Sequence, residues 1–150
     1  MVKYGLFALA ATLILYLFQP WFLPLPLLFW GFVLRFFRDP ERVPEGVEGD
    51  LLSPADGLVT DIIDQEHPYT GPARRIGVFL SVFNVHVNRS PCSGRVEHIQ
   101  YKPGAFKDAR AAEASQVNEA NEVGIACRQG GKILVRQISG LIARRIVCAV

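Results

Sequence analysis

The chain has 150 residues, half of them hydrophobic, with 16 Lys and Arg against 14 Asp and Glu. A net charge of +2, with no basic cluster interleaved with aromatic residues, argues against a nucleic-acid surface. The three cysteines, Cys92, Cys127 and Cys148, fit neither zinc-ligand spacing nor a disulfide framework, so a reducing compartment is the default; three scattered histidines give no metal motif.

The hydrophobic residues are unevenly placed. Tyr4 to Leu34 contains no charged residue. As one helix that run would extend roughly 46 Å, more than the ~30 Å of a hydrocarbon core. Pro20, Pro24 and Pro26 argue instead for two apolar halves, near 4–18 and 25–37, joined by a broken segment. Each half is short for a perpendicular span, so a hairpin dipping into the bilayer competes with two thin or tilted spans. Trp21, Trp30, Tyr4 and Tyr16 suit a membrane–water interface. Lys3 and the group Arg35, Arg38 and Arg42 flank the run; in a hairpin both flanks face one side, which the positive-inside tendency makes cytoplasmic. A cleaved signal peptide is the weaker rival, with one Lys and no small-residue cleavage site. The bland alternative is a core hairpin in a soluble protein.

After a charged, Pro- and Gly-bearing linker over 38–50, the pattern changes to short strands. Asp50–Ser53 and Leu58–Ile63 read as a hairpin around the Asp56-Gly57 turn. Ile76–Val87 reads as a long apolar strand, and Arg95–Tyr101 as another. Phe106 to about Asn121 is rich in Ala, Glu, Lys and Gln and reads as a short helix or an irregular excursion. Val123–Arg128 and Lys132–Ser139 flank Gly130-Gly131, a good hairpin signal. Leu141–Val150 reads as strand or short helix. The expected class is mainly β (α+β): a hydrophobic membrane anchor over 1–37, a linker over 38–50 and a β-rich domain over 51–150.

Two residues carry the candidate chemistry. His86 follows an apolar run and has polar neighbours, Asn84, Asn88 and Arg89. An imidazole at the end of a hydrophobic strand is well placed for acid–base work. Asp56 supplies a carboxylate in Ser53-Pro54-Ala55-Asp56-Gly57. Each has a plain reading too: Asp-Gly is a common turn pair, and His86 serves equally as a core histidine bonded to a carbonyl. Together they fit a carboxylate that orients an imidazole so that it deprotonates a weak nucleophile. None of the six serines sits in a recognisable activation motif. His67 and His98 stand alone in polar segments and read as surface residues. Arg144 and Arg145 are adjacent, so on a strand they face opposite sides, and one is available to a phosphate or carboxylate. A solvated or structural arginine pair is the equal alternative.

The order FFRDPER (36–42), SPADG (53–57), FLSVFNVHVNRSPCSGRV (79–96) and ISGLIARRIVC (138–148) resembles the short-type phosphatidylserine decarboxylase proenzymes, a group that includes archaeal archaetidylserine decarboxylases. The resemblance runs from about residue 29 to the end. Each motif is weak alone; four in order behind an apolar N-terminus are specific. The resemblance implies a lyase of phospholipid synthesis at the cytoplasmic face of the cell membrane. It acts on phosphatidylserine or a related serine phospholipid. Such a proenzyme cuts itself between a Gly and a Ser, and the serine becomes a pyruvoyl group, the electron sink for loss of CO2. Asp56 then matches the carboxylate of the self-cleavage triad, and His86 lies in the histidine-bearing segment. Asn88, Arg89, Arg144 and Arg145 are the implied substrate contacts.

Two departures qualify the resemblance. The long bacterial type has two histidines three residues apart, and Arg89 takes the place of the second. One imidazole then serves both cleavage and protonation. The chain also contains no Gly-Ser dipeptide; Ser139-Gly140 has the reverse order. The expectation is a domain incomplete at its C-terminus, whose partner is a C-terminal pyruvoyl-bearing chain of the same proenzyme, and which neither self-processes nor decarboxylates alone. The alternative is a non-catalytic membrane-bound β-domain that binds lipid head groups or a protein partner.

Overall fold

A computed structural model describes residues 2–18, 24–47 and 49–150. Pro20 and Trp21, and the side chains of Lys3 and Tyr4, lie outside the described residues. The chain forms two compact units, Met1–Arg38 and Asp39–Val150.

The first unit is helical. α1 runs Val2–Phe18 and α2 runs Pro24–Phe36. The two apolar halves read from the sequence are therefore helices. Pro24 and Pro26 do not break the second one; they occupy its first turn, where a missing N–H costs little. With 17 and 13 residues the helices extend about 26 and 20 Å. No helix among the described residues is long and apolar enough to cross a membrane, so the expected spans are not found. The described leucines of α1 and α2 lie largely exposed, among them Leu6, Leu13, Leu17, Leu28 and Leu34.

The second unit is mainly β. β1 (Leu58–His67) and β2 (Gly71–Phe79) form an antiparallel pair, with Leu58 opposite Phe79 and His67 opposite Gly71. β3 (Gly94–Lys102), β4 (Ala120–Cys127) and β5 (Lys132–Ile138) form a second antiparallel sheet with β4 central. The β4–β5 hairpin matches expectation: Gly130 and Gly131 both take positive φ (97° and 85°), open to glycine without strain. As the central strand, β4 supplies much of the core through Ala120, Val123 and Ile125.

Three expected elements differ, and the short helix expected within 106–121 is found. Asp50–Ser53 is not a strand; β1 pairs with β2 instead, and SPADG is the approach to β1. The apolar strand from Ile76 ends at Phe79 rather than Val87. Asn84 is the reason. Its side-chain oxygen accepts the Ser81 N–H (2.8 Å) and the Ser81 hydroxyl (2.7 Å), while its own N–H donates to the Ser81 carbonyl (2.9 Å). Such local bonding competes with a sheet ladder and turns the chain. Over 106–121 the only helix is α3, four residues from Ala114 to Val117, and the end of that stretch is already β4. Residues 141–150 are irregular, neither strand nor helix.

The β1–β2 turn covers the second sheet through Tyr69. Its ring stacks on His98 with centroids 5.4 Å apart, and the Lys132 ammonium lies 4.9 Å from the same ring. His67 and His98 are thus not simple surface residues. Their Nε2 atoms stand 3.6 and 4.0 Å from Glu122 Oε2, and Oε1 of the same carboxylate lies 3.5 Å from Arg136 Nε. This packing needs Gly124, where a Cβ would stand 2.6 Å from a Tyr69 ring carbon and 2.9 Å from His98 Cβ. Gly124→Ala is expected to destabilise the β unit by about 1–3 kcal/mol through overpacking. Denaturant unfolding measures this; an unchanged midpoint would show that Tyr69 is not packed on β4.

Candidate active site

The candidate site is assembled around the segment 53–57, between two sheet-like ties. On one side the Arg89 N–H donates to the Pro54 carbonyl (2.9 Å), and the Leu52 N–H donates to the Pro91 carbonyl (2.9 Å). On the other side Leu58 pairs with Phe79. Asp56 lies between the two ties. The stretch 80–88, which carries His86, therefore leaves and rejoins the chain alongside Asp56. Gly57 allows this close approach: a Cβ there would stand 2.5 Å from the Phe79 carbonyl oxygen.

Within the loop, Val85 is fully buried and anchors the segment, and His86 beside it is half-buried. His86 Nδ1 lies 3.1 Å from the Asn84 carbonyl oxygen. A carbonyl only accepts, so in this contact Nδ1 carries the proton and the neutral ring has its lone pair on Nε2. That is the tautomer of a base acting through Nε2. A backbone carbonyl therefore fills the orienting role at Nδ1 that the sequence had offered to a carboxylate.

Asp56 is engaged by a residue that sequence reasoning missed. Arg42 makes an ion pair with its carboxylate. Arg89 pairs with Asp39, and its Nη2 also donates to the Pro40 carbonyl (2.8 Å). The linker residues 39–42 thus hold both the Asp56 turn and the end of the histidine loop. Both pairs are substantially exposed, with Arg42 and Asp56 side chains 47% and 41% accessible. Their energetic worth is small, of order 0–1 kcal/mol, and their effect is positional. For Asp39 the DPER motif was the only sequence signal; Arg42 had drawn notice besides only as one of the basic residues flanking the apolar run.

Asn88 is used on the sheet side. Its Oδ1 accepts from Gln137 Nε2 (2.7 Å) on β5, and Gln137 Oε1 accepts from Asn121 Nδ2 (3.5 Å) on β4. Gln137 gave no signal in the sequence, because its role depends on the register that sets it beside Asn121. Arg144 and Arg145 lie in the exposed irregular segment 141–150. Arg144 Nε donates to the Leu141 carbonyl (2.8 Å), within its own segment. The structure therefore ties Arg89 to the Asp56 turn through Pro54, and Asn88 of the same loop to β5, with His86 two residues before Asn88; it records no bond from Arg144 or Arg145 to these residues among the described residues. No group of three His, Cys, Asp or Glu side chains suited to a metal occurs among the described residues.

Comparison with known proteins decides the family. The phosphatidylserine decarboxylase family profile matches residues 29–150, four-fifths of the chain. The chain belongs to the phosphatidylserine decarboxylase family. It is 48% identical over 120 residues to a protein named phosphatidylserine decarboxylase proenzyme from Salinibacter ruber (strain DSM 13855 / M31), covering 77% of this chain and 53% of that protein. The Chlorobium luteolum proenzyme of the same name is 48% identical over 119 residues, 79% of this chain and 56% of that one. The Syntrophus aciditrophicus proenzyme is 45% identical over 150 residues, 98% of this chain and 69% of that one. The chain thus spans little more than half the length of the first two of these decarboxylase proenzymes. The motifs that build the site, at 39–42, 53–57 and 84–89, all fall within the matched region.

Proposed function

We propose that residues 1–150 form the part of a phosphatidylserine decarboxylase that carries the acid–base residues, with His86 as the base and Asp56 as its carboxylate partner. The single observation that supports this most is the convergence of three motifs: linker residues 39–42 pair with both Asp56 and Arg89, and Pro54 is bonded to Arg89. That arrangement keeps Asp56 next to a histidine loop whose ring has its lone pair on Nε2.

The residues present fit a pyruvoyl group in part. They supply a base in the tautomer needed, but no Gly-Ser dipeptide from which the group is made. When present, the pyruvoyl group supplies the electron sink for decarboxylation. What this chain does is hold and move a proton at Nε2 of His86: in the single self-cleavage it takes the proton of the cleavage-site serine hydroxyl and passes it to the departing amide nitrogen, and in each later turnover, recharged from solvent, it gives a proton to the decarboxylated lipid carbon. Asn88 and Arg89 set the loop on the sheet and the linker and are available to the head group. The exposed cations Arg144 and Arg145 meet its phosphodiester. The serine belongs to a further chain segment of the same proenzyme, and residues 1–150 alone are inactive. The substrate is phosphatidylserine, or an archaetidylserine with the same head group. The exposed apolar helices α1 and α2 attach the protein to the cytoplasmic face of the cell membrane.

The test compares the full-length protein with residues 1–150, each incubated with vesicles containing phosphatidylserine. The full-length protein is expected to split into two chains and release CO2, with ethanolamine lipid as product. Residues 1–150 are expected to do neither. CO2 release by the shorter form, or no lipid turnover by the cleaved full-length protein, overturns the proposal.

A further inference from the structure

The cysteines form a pair that the sequence did not foretell. Cys92 and Cys127 are 35 residues apart in the chain, yet their Sγ atoms stand 2.6 Å apart. Both are half-buried, while Cys148 is exposed.

The backbone on each side of this contact is fixed. Pro91 is buried and its carbonyl accepts the Leu52 N–H (2.9 Å); the Ser93 carbonyl accepts the Arg128 N–H (2.8 Å). The Cys92 carbonyl accepts the Ser90 hydroxyl (2.6 Å). Cys127 ends β4 opposite Gly94, its N–H donating to the Gly131 carbonyl (3.1 Å) and its carbonyl accepting the Gly130 N–H (3.0 Å). The sulfur atoms therefore meet because two anchored segments bring them together. A metal between them does not fit. Two thiolates on one tetrahedral zinc, each at ~2.3 Å, stand roughly 3.8 Å apart. No third ligand of the right type converges among the described residues.

We propose that Cys92 and Cys127 form a reversible disulfide by exchange with a low-molecular-weight disulfide of the glutathione class. One protein thiolate attacks a sulfur of that disulfide and expels the first small thiol. The second protein thiolate then attacks the mixed disulfide and expels the other. One S–S bond forms in the protein and one breaks in the oxidant. The two electrons and two protons end on two small thiols. The bond ties the segment just after the histidine loop to the end of β4. It closes the loop from 92 to 127 and restricts the unfolded chain. In the reduced protein, burial and then the hydrogen bond with Cys127 push the Cys92 thiol up to about 11, so Cys92 itself is a neutral, slowly reacting thiol. This inference stands independently of the decarboxylase reading.

The experiment equilibrates the full-length protein in reduced and oxidised glutathione mixtures, quenches with acid, alkylates, digests without reduction and reads the peptides by mass spectrometry. The expected result is a cross-linked pair containing Cys92 and Cys127, lighter by two hydrogens than the two thiol peptides. It should grow with the oxidised fraction and vanish on return to reduced glutathione, with Cys148 alkylated throughout. The oxidised form is expected to melt on the order of 10 °C higher than the reduced form. Cys127→Ser should lose both the cross-link and the difference in melting temperature. If that variant does not fold, the wild-type peptide map alone decides. Three results overturn the proposal: both thiols still alkylated in oxidised glutathione alone, separate glutathione adducts on each, or pairing of either with Cys148. A cross-link with no rise in melting temperature overturns the tether.

Discussion

In the full-length protein His86→Ala is expected to reduce chain cleavage by about 10²–10⁴-fold, the usual contribution of a positioned general base. Decarboxylation should fall with it, since it follows cleavage. The change is read on a denaturing gel as uncut chain and in vesicles as lost CO2. His86 is half-buried, and the buried anchor of its loop is the neighbouring Val85. The variant should therefore fold, and its circular dichroism should match the parent. Cleavage at the parental rate would remove His86 from the mechanism. Asp56→Ala is expected to slow the same step. Its carboxylate pairs with Arg42, and Nδ1 of His86 faces the Asn84 carbonyl. In the proposed mechanism Asp56 acts through charge and loop position. Asp56→Asn separates these: it keeps size and hydrogen-bonding capacity but removes the charge. If charge is what matters, Asn is as slow as Ala. If position is what matters, Asn restores most of the rate.

The largest loss of stability is expected at Asn118, which no motif marks. Its side chain is fully buried. Its Oδ1 accepts the Lys107 N–H (2.9 Å), and its Nδ2 donates to the Lys107 and Ser139 carbonyls (2.9 Å each). Around it the Ala105 N–H donates to the Val117 carbonyl, and the Glu119 N–H to the Ala105 carbonyl. One amide thus joins three passes of the chain just before β4 and just after β5. Asn118→Ala leaves the buried Ser139 carbonyl and the part-buried Lys107 N–H and carbonyl without that partner. At ~1–3 kcal/mol for the buried group left unsatisfied, and less for each part-buried one, a loss of about 3 kcal/mol follows. Asn118→Asp supplies an acceptor for Lys107 but places a carboxylate against two carbonyls, so it should fare no better. Urea unfolding of the parent and both variants measures the difference. A loss under about 1 kcal/mol would mean that water replaces the amide, because a small polar void can be hydrated.

The family was legible in the sequence because its motifs are short and contiguous. DPER, SPADG and the histidine segment are recognisable before folding, and so is the Gly130-Gly131 hairpin, whose positive φ values only glycine meets without strain. The alternating segment from Arg95 also held, as β3. Where sequence reasoning failed, a local contact outweighed a pattern. The apolar run past Phe79 looked like continued strand, but Asn84 bonds back to Ser81 and turns it. Asp50–Ser53 looked like the partner of β1, but the strand after the next turn offered a longer antiparallel match.

The amino-acid sequence by itself determined the kind of chain this is: two apolar helices, a β-rich unit, and a histidine and a carboxylate in motifs of a decarboxylase family. Those properties reside in residue type and near-neighbour spacing, which a linear reading preserves. Tertiary structure alone decided which groups meet. Arg42 reaches Asp56, Gln137 reaches Asn88, and Cys92 reaches Cys127 across separations of 14, 49 and 35 residues. Each of those contacts depends on strand register and loop closure, and a shift of one residue would point the side chains to the opposite face.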